Sequence, residues 1–452
     1  METKPPVSRA ILIGVQLPGV DDAAHAASIQ ELGRLVKTLG YEVVGTLSQR
    51  REALEGATVL GKGRLHDLAA LTGGTGVVGT MAIAPKSKAR ERFTEDAAEP
   101  APLLIEPNPD APPKADVVIV DHEISPSQAR NLERATGADV LDRTGVIVEI
   151  FHRHARSREA KLQVELARLQ YVVPRLRASS MGGGRQRGVG AGESDIDLDR
   201  RKVRDRRAEL KAQLDEIHRD DDQRRSTRGD QLRVALVGYT NAGKSSLMRA
   251  LTGSEVLVAD QLFATLDTTV RALRPETSPR VLISDTVGFI KKLPHDLVAS
   301  FRSTLAEALD ASLLLYVVDA SDPTHEAQLD VTRSVLHEIG ADAVPSLLLL
   351  NKMDRVNEVD RAALTEKHPE AVFLSANSAE DVAALRTTII AFFESAMVED
   401  RLMLPYAKQG LLGTLYENAR VLSEEFDADG RILHVRGLPG GIARLRKILA
   451  GS

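Results

Sequence analysis

The sequence predicts a multidomain α/β protein. A central domain with a mostly parallel sheet flanked by helices is preceded by a small α/β domain and a long antiparallel helical hairpin. A second small α/β domain follows it. Three observations carry this reading. Strand-length apolar runs alternate with amphipathic helical stretches over the first 70 residues and again over about 231–396, the pattern of parallel strands with helical crossovers. One such run, Val234 to Val237, leads straight into a glycine-bracketed loop that opens an amphipathic stretch, Leu247 to Leu251. Between the two α/β regions the pattern is helical and rich in charge, broken only by a run of glycines.

The elements follow in order. In the first domain, residues 1–125, a strand from Ala10 to Val15 precedes an amphipathic helix from Ala27 to Leu39 and a strand from Glu42 to Gly45. Ala57 to Gly63 leads into another helix, and Ala115 to Val120 resumes the sheet. Residues 73–115, rich in Ala, Pro and Gly, read as an inserted mobile loop. Gly74, Gly76 and Gly79 within it match a dinucleotide fingerprint, but no strand precedes them and no amphipathic helix follows, so the match is rejected.

The helical domain, 126–230, carries Leu162, Val164, Leu166, Leu169, Val172 and Val173 on its first long helix. Its glycine- and arginine-rich tip spans 181–193, and a second helix of roughly 50 Å runs from near Ser194 to about Arg225. A disordered linker is the competing expectation for the tip. The central domain covers 231–396, and the last, 400–452, contains a strand from Arg431 to Arg436 and no nameable site chemistry.

The chemistry is concentrated in the central domain. Gly238, Gly243, Lys244 and Ser245 have the spacing of a phosphate-binding loop, with Tyr239, Thr240, Asn241 and Ala242 between the glycines and Ser246 after them. A phosphate needs backbone N–H groups around it and a helix N-terminus aimed at it, and glycines let the backbone close in. Lys244 is then expected on the β- and γ-phosphates and the Ser245 hydroxyl on Mg²⁺. Two segments are expected to sense the γ-phosphate. One is Asp285, Thr286, Val287 and Gly288, with Asp285 holding Mg²⁺ through water and the Gly288 N–H on the phosphate. The other is Phe263, Ala264, Thr265, Leu266 and Asp267, where Thr265, ahead of Thr268 and Thr269, completes the metal shell.

The base is expected at Asn351, Lys352, Met353 and Asp354, after the apolar run Ser346 to Leu350. A carboxylate accepts two hydrogen bonds, which suits guanine N1–H and its amine and not adenine; such paired bonds discriminate by about 10⁴-fold. Ser375, Ala376 and Asn377 offer backbone N–H groups to guanine O6. The expected ligand is therefore GTP or GDP. Many GTPases have a water-orienting glutamine after the glycine of the acidic motif, where this chain has Phe289. Either hydrolysis is intrinsically slow or a docking partner supplies the missing group. Asn241 reads equally as a K⁺ ligand and as an ordinary loop asparagine.

Composition sets outer bounds. The 452 residues include no cysteine, which excludes disulfides, thiolate metal sites and a cysteine nucleophile. The N-terminus lacks a signal-peptide layout and the longest apolar run, Ala311 to Val318, is far short of a membrane span, so a cytoplasmic protein is expected. The eleven histidines form no ligand spacing, and His152 and His154 read as surface residues. Net charge is −5, yet residues 152–228 hold 20 Lys/Arg against 13 Asp/Glu, with arginine predominant. A basic element in an acidic chain points to a polyanion such as RNA; the competing expectation is a solvated helix laced with its own ion pairs.

Further segments bear a family resemblance. Glu42 to Arg50 and Gly61 to Gly63 look like an N-terminal signature. Ser125 to Leu132, Asp142 to Gly145, Leu162 to Leu166 and Pro174 to Leu176 look like a helical one. Phe263 to Asp267, Asp285 to Ile290 and Leu293 to Leu297 look like switch segments. Together these resemble the HflX family of ribosome-associated GTPases. The resemblance implies GTP hydrolysis, binding of the large ribosomal subunit through 152–228, stimulation there and splitting of stalled or idle ribosomes. A protein monomeric off the ribosome is expected. A passive anti-association factor and a large-subunit assembly switch are the alternatives. Three positions depart from the family pattern: the long 73–115 insertion, Gly190 to Ser194 where a tighter turn with proline is usual, and Thr268 where proline is usual.

Overall fold

The computed structural model describes residues 7–54, 56–78, 114–180, 195–227, 232–253, 262–263, 269–291 and 307–450, with only the backbone described for 176–180, 195–200, 221–227 and 417. The chain divides into two compact units, one of residues 1–150 with 168–207 and the other of 151–167 with 208–452.

The first unit is a four-stranded, wholly parallel sheet in the order β2-β1-β3-β4. Its strands are β1 (Arg9–Gln16), β2 (Glu42–Arg50), β3 (Val117–Val120) and β4 (Asp139–Asp142). Crossover helices are α1 (Asp22–Thr38), α2 (Lys62–Thr72) and α3 (Pro126–Thr136). Their ends are encoded locally. The Asp21 carboxylate accepts from Ala24 N at 2.6 Å at the start of α1, and Ser125 and Gln128 form a reciprocal capping box at the start of α3. Residues of β1 and β3, buried on both faces, read as unbroken apolar runs, as parallel strands do.

Two sequence expectations change here. β2 extends to Arg50 because its edge keeps pairing with β1 through Gln16. The sheet also continues past residue 125: β4 pairs with β3, so α3 and β4 belong with this sheet and not with the helical domain that was expected to begin at 126. Gly73 to Gly76 follow helix α2, in keeping with the rejected dinucleotide motif, and the rest of the expected insertion, 79–113, lies outside the described residues.

Consecutive residues at the end of β4 anchor the unit. The fully buried Asp142 carboxylate accepts from Gly145 N (2.8 Å), Ile124 N (3.2 Å), the Tyr171 hydroxyl (2.8 Å) and Arg175 Nη2 (2.6 Å). Burial, with the Asp142 charge beside it, pushes the Tyr171 hydroxyl far above its ordinary pKa, so it remains a donor. Next to it Arg143, 2% exposed, pairs with Asp121 at 2.7 Å and with Glu31.

After α4 (Arg143–His154), the long helices α5 (Arg158–Ser180) and α6 (Asp195–Thr227) each pass from one unit to the other. Glu159 near the start of α5 meets His218 near the end of α6 at 3.3 Å, as an antiparallel pair requires. The tip at 181–193 lies outside the described residues.

The second unit holds a six-stranded sheet in the order β10-β9-β8-β5-β7-β6, parallel except for β6. The strands are β5 (Leu232–Gly238), β6 (Thr269–Ala272), β7 (Val281–Asp285), β8 (Leu313–Asp319), β9 (Ser346–Asn351) and β10 (Val372–Phe373). Among the described residues it carries helices α7 (Lys244–Thr252), α8 (His325–Ile339), α9 (Glu358–Lys367) and α10 (Ala379–Ser395). Leu232, Val234 and Leu236 face α7 and α10 in one apolar cluster, while Ala235 and Val237 pack with Phe289, Leu314 and Leu336 in another. Alternate residues of β5 thus fill both cores, and each fully buried Leu or Val contributes roughly 1.5–3 kcal/mol. A three-stranded antiparallel sheet, β11-β13-β12, follows, from β11 (Val398–Pro405), β12 (Ala419–Phe426) and β13 (Gly430–Gly437). It carries α11 (Leu412–Asn418) and α12 (Pro439–Ala450).

Candidate nucleotide-binding site

The site is assembled at the carboxyl ends of β5, β7, β8 and β9. Glycine is required at two loop positions. A Cβ on Gly238 (φ 153°) would lie 2.2 Å from Val317 O, and one on Gly243 (φ 99°) 2.2 Å from Asn351 Nδ2. Helix α7 starts at Lys244 with Gly243 as its N-cap, a residue with no side chain to cap the first turn.

Lys244 is only 6% exposed and folds back on its own loop, donating to Gly238 O (3.0 Å) and Tyr239 O (2.8 Å). Burial lowers its pKa to about 8 despite the opposing pull of the Asp285 carboxylate. An ammonium held in this way gains on meeting an anion. Ser245 Oγ donates to Asp285 Oδ2 at 2.7 Å. Two hard oxygen groups side by side at a phosphate loop fit Mg²⁺, which takes few protein ligands and keeps the rest of its shell as water and phosphate. Among the described residues no cluster of three or more acidic or histidine side chains would hold a metal alone.

The acidic segment wraps the same loop. A Cβ on Gly288 would meet Thr240 Cα at 2.9 Å and Lys244 Nζ at 3.0 Å, so this glycine closes over the lysine. One expectation is corrected here. Thr286 is fully buried and its hydroxyl donates to Leu236 O at 2.7 Å, so its side chain ties β7 to β5 and does not face a ligand. Phe289 is 1% exposed and packs in the core, and its backbone fixes the loop through Thr240 N to Phe289 O (2.8 Å) and Phe289 N to Gly238 O (3.1 Å). Its place in the chain is that of a water-orienting residue, but its side chain serves packing.

Ala242, Val287 and Met353 are likewise buried, so they can present only backbone, whereas Ser246 is half-buried in the first turn of α7. Phe263, with φ 60°, sets its ring edge-on to Phe151 at 4.6 Å. Ala264, Thr265, Leu266, Asp267 and Thr268 lie outside the described residues.

On the other side Asn351 joins three segments. Its Nδ2 donates to Ala242 O (2.9 Å) and its Oδ1 accepts from Ala376 N (3.0 Å). Lys352, at φ 63°, donates to Asn241 O at 2.7 Å. The exposed Asp354 accepts from the Ser375 hydroxyl at 2.6 Å, which orients the carboxylate. The N–H groups at 375–377, expected to suit guanine O6, have protein partners in this structure. Ser375 N donates to Asp381 (2.7 Å), Ala376 N to Asn351, and Asn377 N to Ser375 Oγ (3.3 Å), because this strand end braces Asn351 and Asp354.

Sequence reading missed Asp319. It ends β8 and its Oδ2 accepts from Lys352 Nζ at 2.7 Å, while Oδ1 accepts from Ser321 N (3.1 Å) and Ser321 Oγ (2.6 Å). The only signal available was an aspartate closing a buried apolar run.

Three family models match the chain in succession: "GTP-binding GTPase N-terminal" over 26–87 and 109–152, "GTP-binding GTPase Middle Region" over 154–228, and "50S ribosome-binding GTPase" over 233–352. A GTPase HflX of Gluconacetobacter diazotrophicus is 72% identical over 450 residues, covering 100% of both chains. The chain belongs to the HflX family of GTPases. HflX of Escherichia coli is 39% identical over 333 residues, 71% of this chain and 78% of that one. A solved GTP-binding protein from the archaeon Sulfolobus solfataricus, in complex with GDP, is 22% identical, covers 85% of this chain and all of its own, and superposes at a TM-score of 0.43. As an HflX-family member the chain is a GTP-binding protein and a hydrolase of GTP. Among its described residues no helix is long and apolar enough to cross a membrane.

Proposed function

We propose that this GTPase binds the large ribosomal subunit through its arginine-rich helical region, 152–228, and uses the GTP state to separate stalled or idle ribosomes. In this reading Lys244 leaves its loop carbonyls for the β- and γ-phosphates, and Ser245 and Thr265 hold Mg²⁺ with Asp285 behind a water. Mg²⁺, when bound, supplies the charge that neutralises the phosphates. Asn351 holds the base loop against the phosphate loop, Lys352 lies along the base, and Asp354 reads guanine. Asn241 is the candidate K⁺ ligand. The Gly288 N–H meets the γ-phosphate, so loss of that phosphate releases the acidic segment.

The observation that carries the catalytic part is the core position of Phe289. The residue after Gly288 is a core phenylalanine that cannot orient the attacking water, so in this reading turnover is slow until a docking partner completes the site. The ribosomal part rests on the charge of 152–228 and on the ribosome-binding description of the matched GTPase model. GTP turnover measured in K⁺ buffer with and without purified large subunits tests both. Strong stimulation by the subunit and not by free tRNA is expected, followed by loss of preformed ribosomes in a light-scattering assay with GTP. Absence of stimulation would overturn the ribosomal reading. Slowed reassociation without loss of preformed ribosomes would replace splitting with passive anti-association.

A further inference from the structure

A cleft of about 420 Å³ lies at the opposite end of β5 from the phosphate loop, where β5 and β7 begin. Its walls come from the 276–279 turn, helix α10, and β12 and β13 of the C-terminal sheet. One side is apolar, with Ile390, Phe393, Met397 and Val421, and Tyr416 stands at the same opening.

The cleft also holds three arginines, and their partners decide its character. Arg386 donates from Nη2 to Pro275 O at 3.0 Å, and its Nε is buried without a hydrogen-bond partner. Arg436 donates from Nη2 to Glu394 O at 3.0 Å. Both are held by main-chain carbonyls, and among the described residues neither has a carboxylate partner. The two acids that line the cleft are already engaged, Glu394 with Arg420 at 3.4 Å and Glu276 with Arg280 at 3.3 Å. Two guanidiniums thus stand half-buried in a half-apolar cleft, hydrogen-bonded to carbonyls and, among the described residues, in no ion pair of their own, with Glu276 and Glu394 in the same lining already paired to other arginines.

We propose that this cleft is a binding site for a small phosphomonoester with a planar or apolar body, of about mononucleotide size. A phosphate monoester brings close to two negative charges and three acceptor oxygens, which match two planar guanidinium forks better than a single carboxylate does. Its organic body would lie on Ile390, Phe393 and Val421. The bound ligand would join the start of the GTPase sheet to the C-terminal sheet, far from the nucleotide loop.

The test uses the full chain saturated with GDP, so that the GTPase site is closed to the probe. Adenosine monophosphate is titrated while the methyl resonances of Ile390, Met397 and Val421 are followed by NMR. Adenosine and inorganic phosphate serve as the two halves of the ligand. Saturable shifts at those methyls with adenosine monophosphate, weaker with either half, are expected. Replacing both arginines (Arg386→Gln with Arg436→Gln) should weaken binding by about tenfold or more, the usual worth of a charged hydrogen bond, and leave GDP affinity unchanged. No shift at these methyls at roughly millimolar probe would overturn the site. Binding that persists unaltered in a folded double variant would overturn the role of the arginines. Should that variant fail to fold, the wild-type methyl shifts alone decide.

Discussion

Removing the Asp319 carboxylate should loosen nucleotide without touching any atom expected to contact it. Asp319 Oδ2 and Asn241 O are the two acceptors of Lys352 Nζ, each at 2.7 Å. Asp319→Ala leaves the ammonium with the carbonyl alone and frees the lysine stem from the line it must follow along the base. A hydrogen bond between charged groups is worth roughly 1.5–3 kcal/mol. Both side chains here retain about one-sixth of their exposure (17% and 16%), so solvent screening places the loss near the lower end, about 1.5–2 kcal/mol. That corresponds to a GDP dissociation rate roughly 10–30 times faster. Stopped-flow displacement of a fluorescent GDP analogue measures it. Asp319→Asn, which keeps a neutral acceptor and the bonds from Ser321, should fall between wild type and alanine. A dissociation rate within about threefold of wild type, in a variant with an unchanged melting temperature, would refute the reasoning.

Other outcomes follow from the same geometry. Asp354→Asn should shift preference from guanine to xanthine, because the amide N–H₂ opposes guanine's donor amine but can donate to the carbonyl oxygen xanthine carries there; competition binding with GDP and XDP decides, and unchanged GDP affinity sinks the base assignment. Lys244 has a pKa of about 8 without ligand and must be protonated to meet phosphate. Binding therefore takes up a proton, and GDP affinity should fall as pH rises through 8, by about fourfold between pH 7 and 8.5; a flat profile contradicts it. Glu326 is pulled upward by partial burial, but hydrogen bonds and charge from His368 and Lys367 outweigh this and hold it at about 2. A depressed carboxylate stabilises above its unfolded pKa of about 4.5 and loses that contribution as pH falls towards 2. The melting-temperature gap between wild type and Glu326→Gln should close as pH falls below 5, and a gap that persists at low pH would exclude the ion pair as its source.

Much of the site was legible because its spacing is a local matter. A glycine pair, a lysine and a hydroxyl in one loop predict a phosphate cradle whatever the rest of the chain does, and the φ values of Gly238 and Gly243 give the reason. Asn351 and Asp354 were legible through their position after an apolar run. Asp319 was not, since its partner Lys352 is brought to it by the pairing of β8 with β9 and nothing in its own neighbourhood marks it. Thr286 and the 375–377 N–H groups have partners that were not legible for a related reason. Sequence assigns them to the right loop but cannot tell which polar atoms the fold has already used.

The sequence by itself determined the α/β class, the order of the strands along the chain, the nucleotide motifs and the family, because each depends on residue type at short separation. Only the tertiary structure decided that β4 completes the first sheet, that Phe289 serves the core, that Asp319 steadies Lys352, and that two arginines bonded to main-chain carbonyls share a cleft with the C-terminal sheet. Those outcomes depend on contacts between residues from about 20 to more than 100 positions apart. Such contacts are selected by how whole elements bury their apolar faces together, and burial, unlike spacing, is a property of the packed molecule.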